Sequence, residues 1–179
     1  MVLEGAARVL REHGYAGATT KRIAKAAGVS VGTLYEYFAN KDEVFDAVIR
    51  RELDALVAAI RQQELSPNTP VDETISQLIV AAMGAMRYGP ELLRSLENVP
   101  GASFRRQLAD ARRVVIAFVR QLLEEHRDEL RVRDLDLAAF MIVGIAEGVG
   151  ANATSEVFDE RLARELGGLI KTYLTGTVT

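Results

Sequence analysis

Residues Thr20 to Lys41 read TKRIAKAAGVSVGTLYEYFANK, and this stretch decides how the rest of the chain is read. Ile23, Ala24 and Ala27 share one face of a short helix. Gly28 follows, where helices commonly end in a left-handed residue that glycine enters at little cost. Val29 is an apolar plug after the turn, and Ser30 is a natural N-cap. A second helix is expected over Val31 to Phe38, with Leu34 and Phe38 one turn apart on its buried face. Asn40 then opens a third helix, and Glu43 three residues on completes an Asn-x-x-Glu capping pattern. Two short helices joined by a glycine turn form a helix-turn-helix, whose second helix can enter the DNA major groove.

The outward residues suit that task. Thr33, Tyr35 and Tyr37 offer hydroxyls to phosphate oxygens, and Gly32 permits close backbone approach. Thr20, Lys21 and Arg22 sit at the start of the first helix, and Lys41 at the start of the third, where the helix dipole favours an anion. The same spacing also suits two amphipathic helices of an ordinary bundle, so spacing alone leaves both readings open.

The run TTKRIAKAAG–VSVGTLYEYFANKDEVF resembles the N-terminal signature of the tetracycline-repressor (TetR) family of bacterial regulators. The match spans Gly14 to Val48 and carries the family's Thr, Ile-Ala, Ala-Gly-Val, Gly-Thr-Leu-Tyr, Tyr-Phe and Lys-acidic elements in order. The resemblance implies that Thr20, Lys21, Thr33, Tyr35, Tyr37 and Lys41 contact phosphates, and that Ser30, Val31 and Gly32 lie where bases are read. Val31 and Gly32 carry no side-chain hydrogen bond, so readout there rests on methyl contact and backbone approach. Many members place a basic arm ahead of the first helix; here the sequence opens within that helix.

Working outward, the chain has 179 residues, 49% of them apolar, enough for a sizeable core. It has no Cys, which excludes disulfides, thiolate zinc sites and cysteine nucleophiles and fits a reducing cytoplasm. Its first ten residues carry Glu4 and Arg8 and no signal-peptide pattern. Leu137 to Ala146, the longest uncharged apolar run, falls short of the roughly 18 residues a membrane span requires. Net charge is −3, divided as +2 over residues 1–38 and −5 beyond. A basic head on an acidic body fits a protein that meets DNA at one end.

The expected fold is all-α, with about nine helices. A three-helix head spans residues 1–50, and a helical ligand-binding and dimerisation body spans 51–179. The first helix covers residues 1–13, with Leu3, Ala6, Ala7 and Leu10 inward and Gly14 ending it. The Asn40-capped helix runs to about Gln63, its apolar residues recurring every three or four positions, and links head to body. Pro67 and Pro70 mark a loop. Helices follow over Val71–Tyr88, Pro90–Leu96, Ser103–Arg127, Asp134–Asn152 and Ser155–Leu174. The charged segment Glu124–Arg133 reads as a solvated helix end and loop, and His126 within it is assigned no site. The helix at 134–152 is apolar almost all round. Gly144 and Gly148, one turn apart, allow close approach of another helix, and the resemblance implies that this helix and the last one pair with a symmetry mate as a dimer face; the alternative is that the pair is the core of a monomer. Gly144, Gly148, Leu166, Ile170 and Tyr173 are the expected contact residues of the dimer face.

No catalytic set, metal site or nucleotide fingerprint emerges, so no cofactor is expected and an enzyme is disfavoured. The resemblance implies a small-molecule cavity among the body helices. Met83, Met86, Tyr88, Phe104, Phe118, Phe140 and Met141 are candidate lining residues, although such a stripe is more often plain core. Arg112, Glu147 and Asn152 are the polar groups on otherwise apolar helices. The expected function is a homodimeric, ligand-responsive regulator that binds a palindromic double-stranded operator and releases it on binding an apolar or amphipathic molecule. A helical small-molecule-binding module that keeps the head without specific DNA regulation stays open beside it.

Overall fold

Each helix of the head is bounded by a residue suited to end it. The computed structural model describes residues 1–63, 69–86, 92, 94–95, 99, 102–154 and 156–176. Helix α1 spans Val2–Gly17, α2 Thr20–Ala27, α3 Val31–Tyr37 and α4 Lys41–Arg61. Gly14 interrupts α1 with φ 62° and ψ 176°, and one further turn runs on to Gly17. The break falls at the expected residue, and the extra turn brings Tyr15 against the start of α4. Gly28 ends α2 in the left-handed conformation at φ 70°. The Ser30 side chain caps α3, and Asn40 Oδ1 caps α4 by accepting from the amides of Asp42 and Glu43. Glu43 reaches back to the amide of Ala39, one residue before the usual capping-box position.

The body follows with α5 Val71–Ala85, α6 Ala102–Glu125, α7 Leu135–Asn152 and α8 Glu160–Thr175, plus a 3₁₀ turn at Arg127–Glu129. Among the described residues there are eight α-helices of described bounds and no strand. The expected helix at 90–96 lies mostly outside them; Leu92, Arg94 and Ser95 are helical. The last helix begins at Glu160, capped by Asp159, rather than near Ser155, so Phe158 sits ahead of it in a turn.

Two apolar clusters hold the chain together. Ala6, Ala7, Leu10, Ile23, Leu34, Val44, Phe45, Val48 and Ile49 form the head core, joined by Leu53 and by Phe104 of α6. Ile60, Ile75, Leu78, Leu122, Leu135, Ala138, Ile142, Leu166 and Ile170 belong to the body core, with Leu56 packed against it. Helix α4 therefore enters both. In the body it packs on α5 and α6, α6 packs on α7, and α5 on α8.

One expectation is corrected here. The segment Glu124–Arg133 is not simply solvated. His126 is buried, its ring nitrogens 3.0 Å from the carbonyl oxygens of Leu122 and Thr69. Glu129 accepts from the Val71 amide and so caps α5, whose own N-cap is Pro70 and offers no side chain for the purpose. Charge density concealed these roles because both partners are backbone groups distant in sequence. Helix α7 keeps the expectation that its uncharged apolar run is too short for a membrane span. Its 18 residues reach the length and mean hydropathy of a membrane span. It carries Asp136 and Glu147, however, and Leu135, Ala138, Ala139, Ile142 and Val143 face this chain's own core.

Gly5 is a close-contact point that periodicity does not reveal. A Cβ there would lie 2.7 Å from the Ala27 amide nitrogen and 3.0 Å from two further backbone atoms of α2. The end of α2 sits directly on α1, and backbone cannot swing aside as a side chain can. Gly5→Ala is expected to destabilise the protein by about 1–3 kcal/mol through overpacking, despite better helix propensity. Chemical denaturation measures it, and an unchanged midpoint would contradict the contact.

Lys171 Nζ donates to Asp72 Oδ2 at 2.8 Å, tying α8 to α5. That hydrogen bond, opposed in part by burial, holds the Asp72 carboxyl below its ordinary value of 3.8. A depressed folded value adds stability above the unfolded value, and that stability is lost as pH falls through the folded one. Asp72→Asn is therefore expected to cost about 0.5–1 kcal/mol at neutral pH, with the difference from wild type shrinking as pH falls below the ordinary carboxylate value and through the lowered folded one. Urea melts across pH 2–7 report it.

Candidate nucleic-acid interface and apolar cavity

The outer surface of α2, α3 and the start of α4 presents most of the expected DNA-facing residues. Thr19 rather than Thr20 caps α2, its hydroxyl accepting from the Arg22 amide. Lys21 and Arg22 are exposed, and the Arg22 guanidinium also donates to the Gly17 carbonyl. Thr20 Oγ1 lies 3.3 Å from Tyr35 Oη, so these two hydroxyls join α2 to α3. Ser30 Oγ is 2.9 Å from Thr33 Oγ1 as well as capping the helix. Four of the expected contact hydroxyls are thus paired with one another, which fixes their positions. Tyr37 is the most open aromatic among the described residues, 72% exposed.

Val31 and Gly32 stand exposed at the beginning of α3. A Cβ at Gly32 would meet only Ser30 Oγ, at an ordinary 3.5 Å. The fold itself does not require glycine there, so the room it leaves is room for something outside the chain.

Lys41 is held more firmly than its position implies. Its Nζ donates to the Tyr15 carbonyl at 3.1 Å and lies 3.8 Å from the centroid of the Tyr15 ring. The Tyr15 hydroxyl donates to Asp42 Oδ1, and its ring leans on Phe45 with centroids 5.8 Å apart. The hydrogen bond to Asp42, then burial and the carboxylate's charge, push the Tyr15 phenol up to about 12. Tyr15 and Asp42 therefore set where the Lys41 ammonium points. The kink at Gly14 is what brings Tyr15, Lys41 and Asp42 together.

The body encloses an apolar cavity of about 140 Å³ between α4, α5, α6, α7 and α8. Leu56 and Ile60 of α4, Ile79 and Met83 of α5, Val115 of α6 and Ile142 of α7 are among its walls. A second, outer chamber of about 340 Å³ adjoins it, sharing Leu53, Leu56, Met86, Leu108, Arg112 and Glu147, and bordered also by Phe140, Gly144 and Gly148. Arg112 Nη2 and Glu147 Oε2 form an ion pair at 2.5 Å where the two meet. The carboxylate raises the Arg112 guanidinium above its already high ordinary value.

Of the expected lining residues, Met83, Met86, Arg112 and Glu147 border the inner chamber. Phe104 and Phe140 border the outer one. Phe118 packs against the body core, and Met141 is exposed, its sulfur 3.6 Å from the Tyr173 hydroxyl; neither lines either chamber. Asn152 donates to the Gly148 carbonyl on its own helix. Tyr88 lies outside the described residues. Most of the wall is aliphatic, supplied by positions that periodicity marks only as core.

The expected dimer residues divide similarly. Leu166 and Ile170 are buried in this chain's own core, so they are not available to a second copy. Gly144 and Gly148 have no neighbour within 4 Å of a built Cβ. The exposed apolar groups on these two helices are Leu137, Phe140 and Met141 of α7 and Leu169 of α8. Among the described residues no cluster of His, Cys, Asp and Glu has metal-binding geometry.

Comparison with known proteins agrees with this geometry. Residues 2–48 match the model for bacterial regulatory proteins of the tetR family, and residues 70–174 match a tetracyclin repressor-like C-terminal domain. The HTH-type transcriptional repressor AcnR of Corynebacterium efficiens is 28% identical, across 88% of this chain and 87% of AcnR. The fatty acid degradation regulator FadR of Bacillus halodurans superposes with a TM-score of 0.76 at 26% identity, over 94% of this chain and 92% of FadR. Bacillus subtilis FadR, solved in complex with stearoyl-CoA, superposes equally well (0.76) at 18% identity, over 96% and 97% of the two chains. With both halves matched in order, the chain belongs to the TetR family of bacterial transcriptional regulators.

Proposed function

We propose that this chain is a homodimeric transcriptional repressor of the cytoplasm. It binds a palindromic DNA operator through α2, α3 and the start of α4, and releases it when an apolar or amphipathic molecule fills the body cavity. The observation that carries this reading is the double engagement of α4. One helix begins with Lys41 on the DNA-facing surface and ends with Leu56 and Ile60 in the cavity wall. The acyl chain of the stearoyl-CoA bound by B. subtilis FadR supports the apolar part of the ligand. AcnR, a named repressor, supports the direction of regulation.

Dimerisation follows from the open face of α7 and α8. Phe140 and Leu169 are 57% and 56% exposed beside the unfilled Gly144–Gly148 stripe. A second copy packed there would cover them and complete a four-helix bundle. It would also set two recognition helices at the spacing of palindromic half-sites. The proposed role is binding without turnover.

Selection from a random double-stranded pool at near-physiological salt tests the whole reading. An enriched inverted repeat is expected. Retention without enrichment would show phosphate attraction only, and no retention would leave a ligand-binding module.

Two variants refine it. Lys41→Ala removes one fixed phosphate partner, so affinity is expected to fall alike on all duplexes, and the slope of log affinity against log salt to shrink by about one. Fluorescence anisotropy at several salt concentrations measures both, and loss confined to the operator would reassign Lys41 to base reading. Gly148→Leu places a bulky side chain in the stripe and is expected to shift the dimer to monomer by at least tenfold in dissociation constant. Sedimentation equilibrium decides, and an undisturbed dimer would move the interface elsewhere.

A further inference from the structure

The ion pair between the two chambers is asymmetric, and the asymmetry bears on what the cavity accepts. Glu147 Oε2 is completely buried. Arg112 neutralises it from 2.5 Å, yet no N–H of regular hydrogen-bond geometry points at that oxygen. The pair is close but poorly aligned, so a donor better aligned on that oxygen would hold it more tightly than Arg112 does. Arg112 is the longer side chain and is 45% exposed against 31% for Glu147. It can turn into solvent and be hydrated there. Glu147 is shorter, with one oxygen sealed in the wall, and cannot leave at similar cost.

The outer chamber adds no charge bias of its own, which leaves the Arg112–Glu147 pair to decide. Among its described lining residues the charged groups are Glu52, Glu147 and Arg112, two carboxylates against one guanidinium. Glu52 has its own counter-ion in Arg51, which donates twice to the single oxygen Oε1, at 2.7 and 3.0 Å. An arriving anion would have to dislodge the fixed partner of the Arg112–Glu147 pair. An arriving cation dislodges the mobile one.

We infer that the effector is an amphiphile with a protonated amine, whose ammonium replaces Arg112 on Glu147 while its apolar part enters the inner chamber. This rests on reading the cavity as the effector site and adds the charge of the ligand to it. The inner chamber's 140 Å³ is close to the size of an apolar cavity that holds one benzene ring, so the inserted part is about six carbons. The inference also gives Arg112 a function: it occupies the ammonium position and keeps Glu147 from being stranded.

Three probes with one chain length separate the possibilities: n-octylammonium, octan-1-ol and octanoate, titrated calorimetrically into the intact protein at pH 7. Octylammonium is expected to bind at least tenfold tighter than octanoate, with octanol between them. Glu147→Gln is expected to erase the preference for octylammonium while leaving octanol within about twofold. The wild-type order decides the matter even where that variant fails to fold. Octanoate binding as tightly as octylammonium, or octanol binding with no preference for either charge, would overturn the inference and leave the cavity as a site. Failure of all three to bind would overturn the cavity reading as well.

Discussion

Helix α4 has to satisfy two cores at once. Val44, Phe45, Val48 and Ile49 are sealed in the head, and Ile60 is sealed in the body. A close-packed interior tolerates little sliding, so neither core can repack around this helix without the other registering the change. Everything else attributed to the protein follows from this shared burial. The DNA-facing surface hangs on the first turn of α4, and the cavity is built against its last turns. Phe104 of α6 strengthens the arrangement by packing into the head cluster, so the junction has two points of contact.

At the DNA end, the chain spends side chains on holding other side chains. Ser30 and Thr33 pair with each other, Thr20 with Tyr35, and Tyr15 with Asp42 while its ring and carbonyl position Lys41. Each pairing removes torsional freedom before any partner arrives, which lowers the ordering cost of association. Exposed Val31, Gly32, Tyr37 and Lys21 are left as the less constrained groups. The surface thus combines a braced frame of paired hydroxyls with a small, side-chain-poor patch at the start of α3.

The head was almost fully legible from sequence because its determinants are local. Caps at Ser30 and Asn40, the glycine turn at Gly28 and the period of α4 all act within a few residues. The body was legible in helix order but less so in contacts. His126 and Glu129 were misjudged because a charged run conceals a buried member when its partners are backbone atoms 57 and 58 residues away. Leu166 and Ile170 were assigned to the outside of α8, when only Leu169 between them faces out. A period of 3.6 identifies an apolar stripe but does not say whether this chain or another covers it. The cavity wall was the least legible part, since an aliphatic residue beside a void and one in solid core have the same pattern.

The position of Leu53 has a mechanical consequence. It is the last α4 residue in the head cluster and also borders both chambers, so it lies where the two clusters meet. At 1.5 Å per residue, Lys41 is about 18 Å from it on one side and Ile60 about 10 Å on the other. Treated as a stiff rod with its fulcrum there, α4 is a lever with unequal arms. An outward push of about 1 Å on Ile60 becomes a swing of nearly 2 Å at Lys41, in the opposite direction. In a symmetric pair the two swings add, and contacts that depend on hydrogen-bond distances do not survive displacements of that size.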